Sequence, residues 1–389
     1  MKKVSLLFSA AVIMGVTAIA QTSVTTGGQR YTVIEDVTGA WCQYCPDGTV
    51  VQEEALAQYP KAIGTALHNA DKMVFTDGNT VQASPNVVCG YPGGLIDRKN
   101  WNGAYTGSTC TTATSVSRSY WKTLASQQIA TTPKWDVTVT HSFNTSDSTV
   151  TVNVTARAIG NQTGNYNINA WIIEDSVVGP NITGYNQVNY YNTVSTHTYY
   201  QAGNPMVGFV HRHVERAYLG GAWGTTGVIP ANAANNMSYT KTYTYKIPAK
   251  YDLATAGAPA TQFKQISIIG MVMKDTSSKF DREIMNAVQA KLVMSPTSVG
   301  EVTALNNLSV YPNPAQTNVT IKGILNQPGA VTVSVVNAIG QTMIEKNYKY
   351  TGSFFGEDVS LETLTNGVYM LNITTDRGEK TTEKLVISK

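Results

Sequence analysis

The strongest constraint on the fold is a strict period of two that runs through the middle of the chain. Trp135-Asp136-Val137-Thr138-Val139-Thr140 alternates apolar and polar residues, and Val150-Thr151-Val152-Asn153-Val154-Thr155-Ala156 does so more cleanly. Successive side chains of a strand point to opposite faces, so a segment of this kind buries one face and wets the other. Residues 167–173, 239–247 and 266–273 continue the series, with Gly, Asn and Pro between them. Several such strands in succession predict a mostly antiparallel β-sandwich over residues 131–295. Within it, residues 177–230 carry too many turn residues for one regular element and read as large loops. Of the 389 residues, 14% are charged and 42% hydrophobic. Thr, Asn, Ser, Gly and 21 Tyr make up much of the remainder, a mixture suited to sheets that face water. The formal charge is +3 with no basic cluster, which argues against a nucleic-acid partner.

The first 20 residues have another pattern. Lys2 and Lys3 precede a mostly apolar run, residues 4–20, that ends Ala18-Ile19-Ala20. This is the small-x-small ending of a cleavable signal peptide, and the mature chain is expected to begin at Gln21. Gln21 is not Cys, so no lipoprotein anchor is expected. An uncleaved N-terminal anchor is the competing reading. No later segment reaches the roughly 18 apolar residues of a membrane-spanning helix. Export also bears on Cys42, Cys45, Cys89 and Cys110, because disulfides persist outside the cytosol. Four cysteines allow three pairings, and spacing does not choose among them.

Between the signal and the alternating strands, residues 30–130 mix strand and helix. Residues 31–37, 62–68 and 94–96 read as strands, and residues 46–59 and 115–129 as helices. Asp36-Val37-Thr38-Gly39-Ala40-Trp41-Cys42-Gln43-Tyr44-Cys45-Pro46 therefore runs from a strand through a turn into a helix. Cys42 is placed at the helix N-terminus, where unpaired N–H groups and the helix dipole favour a thiolate. Two intervening residues allow Cys45 to close a small disulfide with it. Pro46 fits the first helical turn, where its missing N–H costs nothing.

This segment resembles the thioredoxin superfamily. The resemblance makes Cys42 the attacking cysteine, Cys45 the resolving one and Trp41 the aromatic residue ahead of the pair. It makes Asp36 the buried carboxylate that manages the resolving thiol's proton, and Tyr91-Pro92 the cis-proline loop facing the disulfide. Tyr91 departs from the Thr, Val or Ile usual before that proline. Tyr44 and His68 are expected to line the site, with His68 either tuning Cys42 or sitting as a satisfied polar residue. No cofactor is expected. A static disulfide in a scaffold used for binding is the alternative to thiol–disulfide exchange with a protein partner. Cys89 and Cys110 read as a staple closing a loop of about 20 residues, worth roughly 3 kcal/mol. Proximity to Pro92 leaves open exchange of Cys89 with Cys42, or a metal site with Cys45 and His68.

A nearer resemblance, over most of residues 30–295, is to the Omp28-related outer-membrane proteins. It rests on the segment from Thr38 to Gly48, on Leu67-His68-Asn69, and on Gly90-Tyr91-Pro92-Gly93-Gly94-Leu95-Ile96-Asp97-Arg98. His211-Arg212-His213-Val214 and the late strand, residues 268–274, complete it. As alternate residues, His211 and His213 would share a face in a strand, with Glu215 continuing it. That pattern suits either a weak metal site or a hydrogen-bonded edge. Tyr185, Tyr190, Tyr191, Tyr199 and Tyr200 form either a surface for a glycan or protein ligand or local packing. No Ser–His–Asp set, HExxH or phosphate loop is present.

Residues 296–304 read as a linker. Residues 305–389 resemble the type A C-terminal sorting domain of the type IX secretion system. The matching features are Leu308-Ser309-Val310-Tyr311-Pro312-Asn313-Pro314, Val335-Val336-Asn337-Ala338-Ile339-Gly340, Leu361 and Leu364 with Gly367-Val368-Tyr369, and Lys384-Leu385-Val386-Ile387-Ser388-Lys389. The resemblance implies an immunoglobulin-like sandwich, recognition by the secretion translocon, and a cell-surface or secreted product. Pro312 and Pro314 cannot donate to a ladder and should end the first strand. A carbohydrate-binding sandwich is the competing reading.

Overall fold

The computed structural model describes residues 22–101, 113–293, 305–325, 328–337, 340–376 and 380–389. The expected signal peptide, the whole of the expected linker and Cys110 lie outside these. The chain divides into two compact units, Met1–Pro296 and Thr297–Lys389.

In the first unit the strands are β1 (Thr22–Thr25), β2 (Thr32–Thr38), β3 (Ala62–His68), β4 (Gly93–Ile96), β5 (Trp135–Asn144), β6 (Thr149–Ala158), β7 (Gln162–Thr163), β8 (Tyr166–Glu174), β9 (Val214–Tyr218), β10 (Asn232–Ala233), β11 (Ser238–Lys246), β12 (Ile266–Lys274) and β13 (Ile284–Lys291). The helices are α1 (Cys45–Gln58), α2 (Thr76–Ala83) and α3 (Trp121–Ile129). A seven-stranded sheet in the order β13-β12-β8-β9-β3-β2-β4 faces a four-stranded sheet β1-β5-β6-β11. Among the named strands of the described residues, β2–β3 and β3–β9 pair in parallel and the others antiparallel.

The sandwich core lies between the β13-β12-β8 side and the smaller sheet. Val137, Val139, Val150, Val152 and Val154 meet Ile168, Ile172, Ile268 and Val272 there. The other face of β8 and β12 is also covered: Trp171, Ile173, Ile269 and Met271 join Val33, Val37, Leu67 and Leu95. This double burial explains why Ile266–Lys274 is a continuous apolar run whereas β6 alternates. Helices α1 and α3 cover the remaining part, with Ala55, Trp121 and Leu124 against Ile34 and Ile96.

The expected division at 130/131 falls just after α3, and the large sheet runs across it. β9 pairs through Val214 with Ala66 of β3, and its other edge pairs with β8. A β3 edge left open would expose unpaired backbone groups, and β9 covers it. The closing helix is shorter than expected because Val116 bridges Gly94 at the sheet edge, through reciprocal N–H···O bonds of 2.8 and 2.9 Å. A short 3-10 turn, Arg118–Tyr120, then leads into α3.

The second unit contains β14 (Leu305–Tyr311), β15 (Asn318–Leu325), β16 (Ala330–Val336), β17 (Thr342–Lys349), β18 (Phe354–Ser360), β19 (Gly367–Thr375) and β20 (Lys380–Ile387). Among the described residues its strands pair antiparallel, in sheets β14-β15-β18 and β17-β16-β19-β20, and an isolated parallel bridge joins Ala315 to Ile387. Val319, Ile321, Val333, Phe355, Leu371 and Leu385 fill its core. β14 stops before Pro312. Asn313 then ties that end to β20, donating to the Lys384 carbonyl at 2.7 Å and accepting from the Val386 N–H at 2.9 Å. Gly340, between β16 and β17, sits at φ +85°, which only a residue without Cβ adopts freely.

Candidate thiol–disulfide site

β2 delivers the chain to the turn at its C-terminal end, and α1 starts at Cys45 with Pro46 in its first turn. Cys42 and Cys45 form a disulfide with their Cα atoms 5.4 Å apart. The turn is held by Cys42 N–H donating to the Gly39 carbonyl at 2.9 Å and Cys45 N–H to the Cys42 carbonyl at 3.2 Å.

Pro92, preceded by a cis peptide bond, stands directly before β4. The β2–β4 register sets Val37 opposite Gly93 and Asp36 opposite Gly94. These residues converge on Gly48, in the first turn of α1. A Cβ there would lie 2.9 Å from the Pro92 Cβ and 3.1 Å from Asp36 Oδ2. The glycine thus lets the proline and the carboxyl both approach the start of the helix. Asp36 is 2% exposed, and its Oδ1 has no hydrogen-bond partner. Burial pushes its carboxyl well above the ordinary aspartate range, and the Arg118 charge opposes this only in part.

Trp41 and Tyr44 flank the disulfide at 46% and 38% exposure. The Trp41 indole donates to the Asn69 carbonyl at 2.8 Å and meets Tyr91 edge-on at 5.2 Å. The sulfur-bearing residues are far less open: Cys42 is 3% exposed and Cys45 1%. A segment from between β8 and β9 lies against their turn. Val188 N–H donates to the Ala40 carbonyl at 2.8 Å and Tyr190 N–H to the Gln43 carbonyl at 2.9 Å. The buried Gln187 amide donates to the carbonyls of Cys42 at 2.9 Å and Gly39 at 3.3 Å. Tyr190 packs on Tyr44 at 4.8 Å. Beside them Asp47 of α1 binds the Arg118 guanidinium and meets His197 Nε2 at 3.1 Å, while Arg118 also donates to the Tyr191 hydroxyl at 3.1 Å.

His68 is buried, with Nδ1 2.6 Å from Asp71 Oδ2. Asp71 also accepts the N–H groups of Ala40 and Met73, so His68 reaches the cysteine turn through Asp71. Burial would raise the Asp71 carboxyl, but the His68 charge and these hydrogen bonds hold it below the ordinary range. His211 lies edge-on to His68 at 5.2 Å and donates from Nε2 to the Tyr185 carbonyl at 2.8 Å. Burial, reinforced by the His68 charge, pushes it down to about 3.

The shared face expected for His211 and His213 does not form. His213 adopts φ +52°, which breaks the extended alternation before β9 begins, and its Nε2 meets Glu53 at 2.7 Å instead. Glu215 is buried with Glu35, Arg98 and Tyr218. Tyr185 and Tyr191 are packed inward, whereas Tyr190 and Tyr200 remain exposed and Tyr199 is half-buried. Cys89 donates its N–H to Ser115 Oγ at 2.8 Å; Cys110, its expected partner, lies outside the described residues. Asp47, Asp71, Arg118, Gln187 and His197 were not marked by the sequence reading. Asp71, three residues after His68, and Asp47, two residues after Cys45, have local spacings that could have singled them out.

Two family models match the chain: the secretion system C-terminal sorting domain over residues 309–388, and the outer membrane protein Omp28 over residues 83–294. The second takes in Pro92, Arg118 and Gln187 but begins after the cysteine pair. Among solved structures, HBP35 of Porphyromonas gingivalis aligns with a TM-score of 0.49 at 18% identity, covering 92% of this chain and 99% of that one. Dimeric latent PorU of Porphyromonas gingivalis aligns at 0.18 and 11% identity, covering 65% of this chain and 24% of that one. No curated protein matches the chain.

Proposed function

The chain belongs to the Omp28 outer-membrane protein family and carries a type IX sorting tail that points to the cell surface; from that premise we propose that its first unit performs thiol–disulfide exchange there. In this reading the cysteine-bearing region is thioredoxin-like, and the sorting machinery is the partner of the second unit only.

The observation that carries the reading is Asp36. A buried carboxyl with an unpartnered oxygen costs on the order of 1–3 kcal/mol, and this one lies against the first turn of the helix that carries Cys45. Beside a disulfide it has a task. A thiolate of a dithiol substrate attacks Cys42 Sγ, the Cys42–Cys45 bond breaks, and the electron pair leaves on Cys45. Asp36, holding its proton because burial raises its pKa, supplies that proton to Cys45. The second substrate thiolate then attacks the substrate sulfur of the mixed disulfide. Cys42 leaves as a thiolate, favoured by the N-terminal end of α1. The substrate ends oxidised by two electrons and the site reduced by two. Residues 187–191 regulate access, since they cover the turn through hydrogen bonds that can break one by one.

A second reading, a surface binding protein with a static disulfide, is favoured by the low exposure of both cysteines. The reduction potential of the pair separates the two. Exchange predicts a value above about −300 mV, and catalysis of insulin reduction by dithiothreitol that Cys42→Ser abolishes. A potential below that mark, with insulin reduced no faster than by dithiothreitol alone, would establish the staple.

A further inference from the structure

At the end of β2 away from the disulfide, a cavity of about 170 Å³ opens between the C-terminal end of α3 and the β12–β13 connection. Four cations line it: Arg30, Lys99, Lys134 and Lys274. One carboxylate, Glu283, lies in its wall, and Asp97 stands behind Arg30. Seven residues of strand, about 23 Å, separate this end of β2 from the turn that carries Cys42.

The two carboxylates are already engaged. Asp97 is buried and accepts from Arg30 at 2.6 Å, Thr32 at 2.9 Å, the Val33 N–H at 2.7 Å and Gln128 at 3.0 Å. Glu283 takes Lys274 at 2.7 Å and Gln128 at 3.3 Å, and stands 3.9 Å from Lys99. Lys99 donates to Gln128 Oε1 at 3.2 Å and lies over the Trp101 ring at 4.7 Å, which leaves ammonium donors to spare. Lys134 has no ion pair among the described residues. Four positive charges stand against Glu283, Asp97 and Asp281, which acts on Lys274, and this leaves an excess of one positive charge at a concave site. Arg30, 4% exposed, is fixed in place by Asp97 and the Ile284 carbonyl at 3.0 Å. A preorganised, partly desolvated cluster of cations in a cavity is an electrostatic trap for a multiply charged anion.

We propose that this cavity binds a phosphate or sulfate group, either as the free ion or as the terminal group of a saccharide. Lys99 and Lys134 supply the open donors, Arg30 supplies fixed charge at the base, and Glu283 competes with the ligand for the lysines. The site stands independently of thiol exchange, because no residue is shared.

Isothermal titration of the full chain with inorganic phosphate, sulfate and glucose 6-phosphate, at ionic strength balanced with chloride, tests the assignment. The expected result is saturable binding that the double variant Lys99→Met, Lys134→Met weakens at least tenfold. Glu283→Gln, which removes the competing charge, is expected to tighten it several-fold. Unchanged melting temperature and disulfide reduction rate would show that the variants fold. Tighter binding of the sugar phosphate than of phosphate supports a saccharide ligand, and equal binding supports the free ion. The proposal is overturned if phosphate titrates as chloride does, or if the double variant keeps wild-type affinity.

Discussion

The two ends of the large sheet handle burial in opposite ways. On the sandwich side, β5, β6, β8 and β12 bring valines and isoleucines face to face, and the buried surface is chiefly hydrocarbon. On the disulfide side, the buried set includes Glu35, Asp36, His68, Asp71, Arg98, His211 and Glu215. Burial of a polar group is unfavourable unless a partner compensates it, so the second pattern needs a reason that the first does not. For most of these groups the reason is a partner: Arg98 binds Glu35 through two nitrogens at 2.6 and 2.8 Å and lies over Trp171 at 4.5 Å. Asp36 and Glu215 each keep one oxygen without a hydrogen-bond partner, and of the two only Asp36 lies against the first turn of the helix that carries Cys45.

The contrast sharpens most under Arg98→Met. Removal of this one cation leaves Glu35 and Glu215 buried together without compensation. Burial and the Glu35 charge already raise the Glu215 carboxyl with Arg98 present. Urea unfolding is expected to show a loss of about 4 kcal/mol, against about 1 kcal/mol for Ile268→Val in the hydrocarbon core. Equal losses would erase the distinction.

Asp36→Asn comes next. The folded-state pKa of Asp36 lies above its unfolded value, so its contribution to stability is full below the ordinary aspartate pKa and is lost as pH rises through the folded value. The variant is therefore expected to be more stable than wild type at neutral pH, to lack this pH dependence, and to catalyse insulin reduction roughly 100-fold more slowly. A variant that is less stable at neutral pH, with unchanged exchange, would make Asp36 an ordinary structural residue.

Gln187→Ala should have the smallest effect. It removes the amide that spans the carbonyls of Gly39, Cys42 and Val188. Reduction of the disulfide by dithiothreitol is expected to quicken about tenfold, equivalent to roughly 1.4 kcal/mol of lost cover. An unchanged rate would mean that residues 187–191 do not limit access to the sulfurs.

Much of the local structure was legible because its causes are local. Alternation at β5 and β6 reports a face, and Pro312 ends β14 because proline lacks a donor; residues 266–273, expected to alternate, are buried on both faces because both are covered. α2 was missed because Thr76–Ala83 is short, polar and interrupted by Gly78, with no apolar stripe to read. β9 was missed because five residues inside a turn-rich stretch show too little pattern, and the strand exists to pair β3 with β8. At the site, Trp41, Cys42, Cys45 and Pro46 sit in one readable segment. Gln187 reaches Cys42 across 145 positions, and Arg118 reaches Asp47 across 71. No local spacing encodes such contacts.

The sequence by itself determined the strands that carry strong alternation, such as β5 and β6, the presence of a secretion tail and that a cysteine pair opens a helix, because each depends on neighbouring residues and on backbone chemistry. Only the tertiary structure decided that one sheet joins the two halves of the first unit, that Asp36 is shut away beneath Gly48, and that a distant loop covers the disulfide. Those outcomes depend on which surfaces meet, and solvent exclusion acts on surfaces after the chain has brought them together.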